Sequence, residues 1–399
     1  MKKELLAPAG DLVGLAAALR FGADAVYMGG PFMQMRAQSV GQTMEDLAEA
    51  VRMAHAAGAK LYVTVNCFAF NEELPRIAVY AKELHAIGVD AVIVSDLGAI
   101  LTIREACPEL EVHVSTQANT MNYAAARHYH ALGAKRVVLA RELSVRDIRT
   151  IRENIPEELE LEAFVHGAMC MAYSGRCLLS AYMTGRSGNR GACAQSCRWN
   201  YRLQEEKRPD EWYEIEENER GTAILSSFDL NAASFLGELE DAGVCSFKIE
   251  GRMKSEYYIA GAVNAYRMAL DGTASDEQVQ RELEAISHRP YCDGFYHGPV
   301  HAEPWDGQYI STCRYVGRVE QALPDGRFVA EAKNRFAVGE ELELVHPGVP
   351  GIPFTVTGIE NEAGEAIPLI NLPRARVKVA GAPVARAGDL LRKRCGRDG

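Results

Sequence analysis

Short apolar runs recur along the first 250 residues. Each is followed by a longer segment with apolar residues three and four apart. The junction that leads from such a segment into the next run repeats almost word for word. It reads Phe21-Gly22-Ala23-Asp24, Ala57-Gly58-Ala59-Lys60, Ile87-Gly88-Val89-Asp90, Leu132-Gly133-Ala134-Lys135 and Ala242-Gly243-Val244-Cys245. A helix ended by a left-handed glycine and turning at once into a buried strand produces this phrase. The predicted strands cover residues 5–7, 25–28, 61–65, 91–94, 112–115, 136–139, 161–165 and 246–249. Helix starts are marked by Asp11 and by two capping boxes, Thr43-x-x-Asp46 and Ser144-x-x-Asp147. Strands alternating with helices call for a parallel sheet. Eight of them predict an α/β fold, a closed TIM-like (β/α)8 barrel. No G-x-G-x-x-G follows the first strand, which argues against an open dinucleotide-binding sheet.

One interval breaks the rhythm. About 80 residues separate the seventh strand from the eighth, where a βα unit needs roughly 30. This insertion, 167–243, carries a cysteine cluster, an acidic stretch at 205–219 and a predicted extra strand at 223–226. Long insertions on a barrel usually build its active site. Beyond residue 300 the pattern becomes short alternating runs (327–330, 341–345, 354–356, 375–379) between Gly, Pro and Asp turns. That predicts a small C-terminal antiparallel β-barrel. The expected organisation is a barrel domain over 1–300, a linker near 298–308 and a second domain over 301–399.

Composition bounds the function classes. The chain has 399 residues, 48% hydrophobic and 24% charged, with 43 basic against 54 acidic side chains for a net charge of −11. This is globular composition, sufficient for a large core. No run of about 18 apolar residues occurs, so no membrane span is expected. Glu4, Pro8, Gly10 and Asp11 interrupt what would be the apolar part of a leader, so a cytoplasmic setting is expected.

Ten cysteines in a reducing compartment read as thiols or metal ligands. Four are clustered: Cys170, Cys177, Cys193 and Cys197. The other six (Cys67, Cys107, Cys245, Cys292, Cys313 and Cys395) are scattered, mostly in apolar contexts. The spacing of the four matches neither a ferredoxin run nor a zinc ribbon, and leaves zinc, iron–sulfur and no metal all open. From residue 163 to residue 202 there is no Asp or Glu, but there are five arginines: Arg176, Arg186, Arg190, Arg198 and Arg202. Such a segment suits a thiolate cluster or an anionic substrate, or is simply a solvated basic face. A second basic stretch, 373–397, includes Arg392, Lys393 and Arg394. It reads either as a nucleic-acid footprint or as a solubilising tail.

The run Glu162-Ala-Phe164-Val-His-Gly167-Ala168-Met169-Cys170, then Gly175-Arg-Cys177-Leu-Leu179-Ser180, resembles the signature of the U-32 (collagenase-like) peptidase family. Glu4-Leu-Leu-Ala-Pro8-Ala-Gly10, Tyr27-Met-Gly29-Gly30 and Lys248-Ile-Glu250-Gly-Arg252 are similar to further motifs of that family. Cys193-Ala-Gln-Ser-Cys197-Arg198-Trp199 with Tyr201 is similar to its RNA-hydroxylating branch. That resemblance implies a [4Fe–4S] cluster on Cys170, Cys177, Cys193 and Cys197, and prephenate as hydroxyl donor. It also implies a tRNA wobble uridine as target, converted to 5-hydroxyuridine. Relatives act on a ribosomal RNA cytidine or on quinone precursors, and older members were named proteases. A scaffold with structural zinc and a paralogous partner chain both remain open. A cysteine protease would pair Cys170 with His166; no H-E-x-x-H motif occurs.

Under that implied chemistry, arginines should clamp the two carboxylates of prephenate. Arg36, Arg141, Arg176 and Arg252 are the candidates. Asn66, Asp96, Gln117, Asn119, His166 and Glu250 end predicted strands and should face the mouth. His166 is expected as a proton carrier or as a simple backbone partner. Lys248 and Glu250, two apart on one strand, are expected as catalytic groups or as an ion pair. Arg198, Trp199 and Tyr201, with Arg392, Lys393 and Arg394, are the expected RNA contacts, and Tyr173 joins the candidate stacking residues.

Overall fold

The structure, a computed structural model, describes residues 3–34, 42–170, 172–196, 228–298, 309–382 and 384–395. Arg36, Cys197, Arg198, Trp199, Tyr201 and the predicted strand at 223–226 lie outside the described residues. Two compact units emerge. One comprises 1–15, 24–253 and 289–309; the other comprises 16–23, 254–288 and 310–399.

The first unit is built on strands β1 (Glu4–Pro8), β2 (Ala25–Gly29), β3 (Lys60–Val65), β4 (Ala91–Val94), β5 (Glu111–Val114), β6 (Arg136–Val138), β7 (Glu160–Ala168), β8 (Asp229–Asn231), β9 (Val244–Ile249) and β10 (Tyr291–Cys292). Strands β1 to β7 pair in parallel with their chain neighbours. β9 then pairs in parallel with both β7 and β1. The sheet thus closes into the eight-stranded parallel barrel, and all eight strands fall where the sequence puts them. The five junction glycines, Gly22, Gly58, Gly88, Gly133 and Gly243, all have positive φ, from 73° to 100°. That conformation costs a glycine little and any other residue much more.

β8 and β10 have no counterpart in the sequence reading. β8 pairs antiparallel with the outer end of β7, His166–Ala168, and β10 lines up parallel to β8. β7 is therefore nine residues long, longer than its predicted barrel segment.

The helices are α1 (Leu12–Arg20), α2 (Met44–Ala56), α3 (Leu74–Ala86), α4 (Leu97–Ala106), α5 (Tyr123–Ala131), α6 (Val145–Glu153), α7 (Leu179–Thr184), α8 (Leu236–Asp241), α9 (Glu256–Asp271) and α10 (Asp276–Glu284). Both predicted capping boxes form, at Thr43 and Ser144. Asp11 accepts the Gly14 N–H at 2.7 Å. Among the described residues no helix is long and apolar enough to cross a membrane.

The barrel lumen is filled, partly with charge. Leu6, Ala25, Tyr27, Tyr62, Ala91 and Ile93 form one buried cluster. Arg136 bridges Glu4, Glu160 and Glu162, and Ser246 joins Glu4 to Glu162. A lumen packed in this way is a core, not a pore, so chemistry belongs at its ends.

The second unit contains α9, α10 and strands β11 (Cys313–Ala322), β12 (Phe328–Ala332), β13 (Phe336–Ala337), β14 (Glu341–Val345), β15 (Ile352–Thr355), β16 (Gly358–Glu360), β17 (Leu369–Ile370), β18 (Arg376–Ala380) and β19 (Leu390–Arg394). Seven form an antiparallel sheet in the order β15-β14-β19-β11-β12-β18-β16, and β13 pairs with β17. The two edge strands are halves of one chain segment, bent at 356–357 and bonded to β14 on one side and β18 on the other. The sheet therefore curls into a small barrel around Val316, Phe328, Phe336, Leu344, Phe354 and Leu391. At the corner, a Cβ on Gly381 would collide with the Thr355 carbonyl, so only glycine fits.

Candidate functional site at the barrel mouth

The motifs that lie far apart in sequence meet at the C-terminal ends of the strands. Tyr27 donates its hydroxyl to the Ile249 carbonyl at 2.9 Å. Arg252 is buried and donates to Gln34 Oε1 (3.2 Å) and Thr64 Oγ1 (3.1 Å). A Cβ on Gly10 would strike the Arg252 carbonyl. One on Gly29 would lie 2.7 Å from Arg252 Nη1. Gly10 is thus needed where the Arg252 backbone passes, and Gly29 leaves room for the contact between Gln34 and Arg252.

Arg141 follows β6. Its Nη1 donates to the Ala168 carbonyl at 2.7 Å and its Nη2 to Glu250 at 3.1 Å, while its plane lies 3.9 Å from the Phe164 ring centre. Its Nε is buried with no hydrogen-bond partner among the described residues. Asn66 donates to Gln117 Oε1 at 3.0 Å. Asn119, in the left-handed region at φ 55°, donates to the Tyr173 carbonyl. Its Oδ1 is buried and unmatched among the described residues. Among the described residues the mouth therefore offers both an unmatched donor and an unmatched acceptor. Such groups are costly when buried and need a partner.

Several expectations change here. Lys248 and Glu250 do not pair with each other. Lys248 donates to Glu162 at 2.8 Å inside the barrel, whereas Glu250, beyond the end of β9, holds Arg141. Lys248 is 4% exposed, so it belongs to the lumen network rather than the open mouth. Asp96 accepts the Ala99 N–H and caps α4. His166 is buried, its ring 5.7 Å from that of Tyr291, while its carbonyl accepts the Glu250 N–H. Cys170, by contrast, is exposed.

In the second unit, Arg392 is 0% exposed and is held by Glu282 and Glu343 at 2.7 Å. It is a core group and cannot touch a nucleic acid. Lys393 and Arg394 are paired with Glu340 and Glu343, so the basic C-terminal run is largely matched by carboxylates.

The loop carrying Cys170 and Cys177 is seated on this mouth partly by two residues the sequence did not single out, Glu142 and Ser174. Glu142 accepts from both the backbone N–H and the hydroxyl of Ser174 at 2.5 Å. Ser174 is itself held at φ 40°. Arg176 Nε donates to the Gln117 carbonyl at 3.0 Å. Further along, Ser180 Oγ accepts the Ala194 N–H, and Arg190 is clamped by Glu73 at 2.7 Å.

Cys170 and Cys193 are unbridged among the described residues, and Cys177 and Cys193 are half-buried. Cys67 and Cys245 differ: burial pushes each thiol up to about 11, as for inert core cysteines. Among the described residues no three potential ligands are gathered as a metal site. The fourth clustered cysteine, Cys197, lies outside them.

Fold and site together define a TIM-like barrel whose polar strand ends are overlaid by a cysteine-bearing loop. Residues 10–306 match peptidase family U32 and residues 311–392 match the U32 C-terminal domain; the chain belongs to this family. It is 37% identical to the tRNA hydroxylation protein P of Escherichia coli (strain K12), over 92% of this chain and 91% of that one. It is 38% identical to the tRNA hydroxylation protein P1 of Bacillus subtilis (strain 168), over 98% and 95%. The 23S rRNA 5-hydroxycytidine C2501 synthase of Escherichia coli is 36% identical, over 84% of this chain and 50% of that one.

Proposed function

We propose that this chain hydroxylates RNA without molecular oxygen, converting a tRNA wobble uridine to 5-hydroxyuridine in the cytoplasm with prephenate as hydroxyl donor. The observation that carries this reading is the seating of the cysteine loop, through Glu142, Gln117 and Asn119, over a mouth lined by Arg141 and Arg252. Two relatives named as tRNA hydroxylation proteins, similar over more than nine-tenths of their lengths, support it.

The donor set suits a [4Fe–4S] cluster held by Cys170, Cys177, Cys193 and Cys197. The chain has four thiols in one insertion and no carboxylate from residue 163 to residue 202. When bound, the cluster would supply the electron-transfer chemistry that an oxygen-independent hydroxylation needs. The chain's own residues do the rest. Arg252 and Arg141 orient a dicarboxylate, with Arg141 Nε as a donor ready for it. Glu250 holds Arg141 in place. The Asn66–Gln117 amide pair and Asn119 Oδ1 present hydrogen-bonding edges suited to a flipped pyrimidine. The packed lumen keeps ligands at the mouth.

The test has two readouts. Iron and acid-labile sulfide are measured after anaerobic purification, and tRNA nucleosides are analysed from a deletion strain complemented with the parent chain or with Cys170→Ala. About four iron and four sulfide per parent chain are expected. Cys170→Ala should lose both, and 5-hydroxyuridine derivatives should return only with the parent. Restoration by Cys170→Ala would overturn the role of the thiols. A missing hydroxycytidine in ribosomal RNA with intact tRNA would overturn the substrate.

A further inference from the structure

Beside the cysteine loop a strip of aromatic and guanidinium groups runs along the rim. Tyr173 is 52% exposed, and its carbonyl accepts the Arg176 backbone N–H at 3.0 Å. The Arg176 guanidinium lies 5.6 Å from the Phe68 ring centre. The Phe68 carbonyl accepts from Arg190 at 2.5 Å, and the Arg190 guanidinium covers Phe70 at 4.4 Å. Phe70 is 58% exposed. Aromatic rings gathered along one exposed rim mark a surface suited to a partner that covers them.

We propose that this strip is a stacking platform for the unpaired bases of an RNA loop, positioned to feed one base into the mouth; it rests on the RNA reading above. Every base has a face that stacks on an aromatic ring or an arginine plane, and unpaired loops splay their bases for this purpose. The charge pattern fits the same occupant. The segment 163–202 carries five arginines and no carboxylate, so a polyanion meets no like charge from it. Glu73 neutralises Arg190 within the strip. The strip therefore contributes stacking more than phosphate attraction. Phosphate contact falls to exposed arginines such as Arg186.

This division is measurable. The full chain, purified anaerobically, is titrated with a synthetic tRNA anticodon stem-loop and with a fully paired duplex across a range of KCl concentrations. The parent should prefer the stem-loop. Phe70→Ala and Tyr173→Ala should each weaken stem-loop binding at least about fivefold, with the slope of log K against log salt unchanged. Phe70→Tyr, which keeps a ring, should bind like the parent. Arg186→Gln should instead weaken both RNAs and flatten the slope by about 0.7 to 0.9. Parent-like affinity in both alanine variants overturns the platform while leaving the RNA reading intact. Equal losses on stem-loop and duplex also overturn it. A parent chain that binds neither RNA overturns the underlying reading instead.

Discussion

Glu162 is fully buried in the barrel lumen between Lys248 and Arg136. Burial alone would raise its pKa. The two cations outweigh it and hold the carboxyl near about 2. The folded state therefore binds fewer protons than the unfolded chain between roughly pH 4.3 and pH 2. The stabilisation is complete above that window and is lost as pH falls through it. Urea titrations of the parent and Glu162→Gln should show the widest gap near neutrality, closing toward pH 2. A gap that does not narrow would refute the coupling. Lys248→Met leaves a buried carboxylate one partner short and should cost about 3–5 kcal/mol, in line with broken buried pairs. Its loss should also move the acid limb of stability to higher pH, because the Glu162 pKa rises when its nearest cation is gone.

At the scale of elements, the barrel was legible and the loop seating was not. Five of the eight barrel strands are opened by a glycine turn, and most are short runs of buried, largely apolar residues, local signals that survive in one dimension. β8 and β10 have three and two residues, too short for any periodicity. Glu142 carries no signal either: it follows Arg141 in a polar stretch and matters only because Ser174 folds onto it. Charges in strands mislead for a related reason. Arg392, Lys393 and Arg394 look like one basic patch, but alternate residues of a strand face opposite sides: Leu391 faces the core of the small barrel, and Arg392 is buried on the other side against Glu282 of α10. The candidate arginines Arg141 and Arg252 were found because they sit just past strand ends, where a barrel displays its chemistry. The loop seating makes its own prediction. Glu142→Ala removes both acceptors from Ser174, whose left-handed backbone is then poorly held. Trypsin should cut after the exposed Arg176 faster than in the parent, with global unfolding little changed. Glu142→Gln, which keeps one carbonyl acceptor, should be intermediate. Equal cleavage rates in all three chains would rule out the buttress.

At the scale of the whole molecule, the compact units do not follow the order of the chain. α9 and α10 cluster with the C-terminal sheet, although they follow β9 directly in sequence. Within that unit Tyr257 of α9 stacks flat on Tyr315 of β11, with ring centres 5.2 Å apart. Glu282 of α10 is 1% exposed and takes two bonds from Arg392 at 2.7 Å. The helices have therefore placed an aromatic face and a buried carboxylate where the sheet covers them. A chain ending at residue 309 would leave both uncovered, and should be recovered mainly as aggregate or with a markedly lower unfolding midpoint. Arg392→Met in the full chain separates the electrostatic part from the cover. It keeps the apolar bulk and strands Glu282 and part of Glu343, so it should cost about 3–5 kcal/mol. Adding Glu282→Met removes the stranded charge and should return much of that loss, since a buried pair exchanged for apolar groups is often close to neutral. The measurement is denaturant unfolding of the three full-length chains and the shortened one. A shortened chain as stable as the parent would mean that α9 and α10 do not depend on the sheet. An unrecovered double variant would mean that Arg392 acts through more than its carboxylate partners.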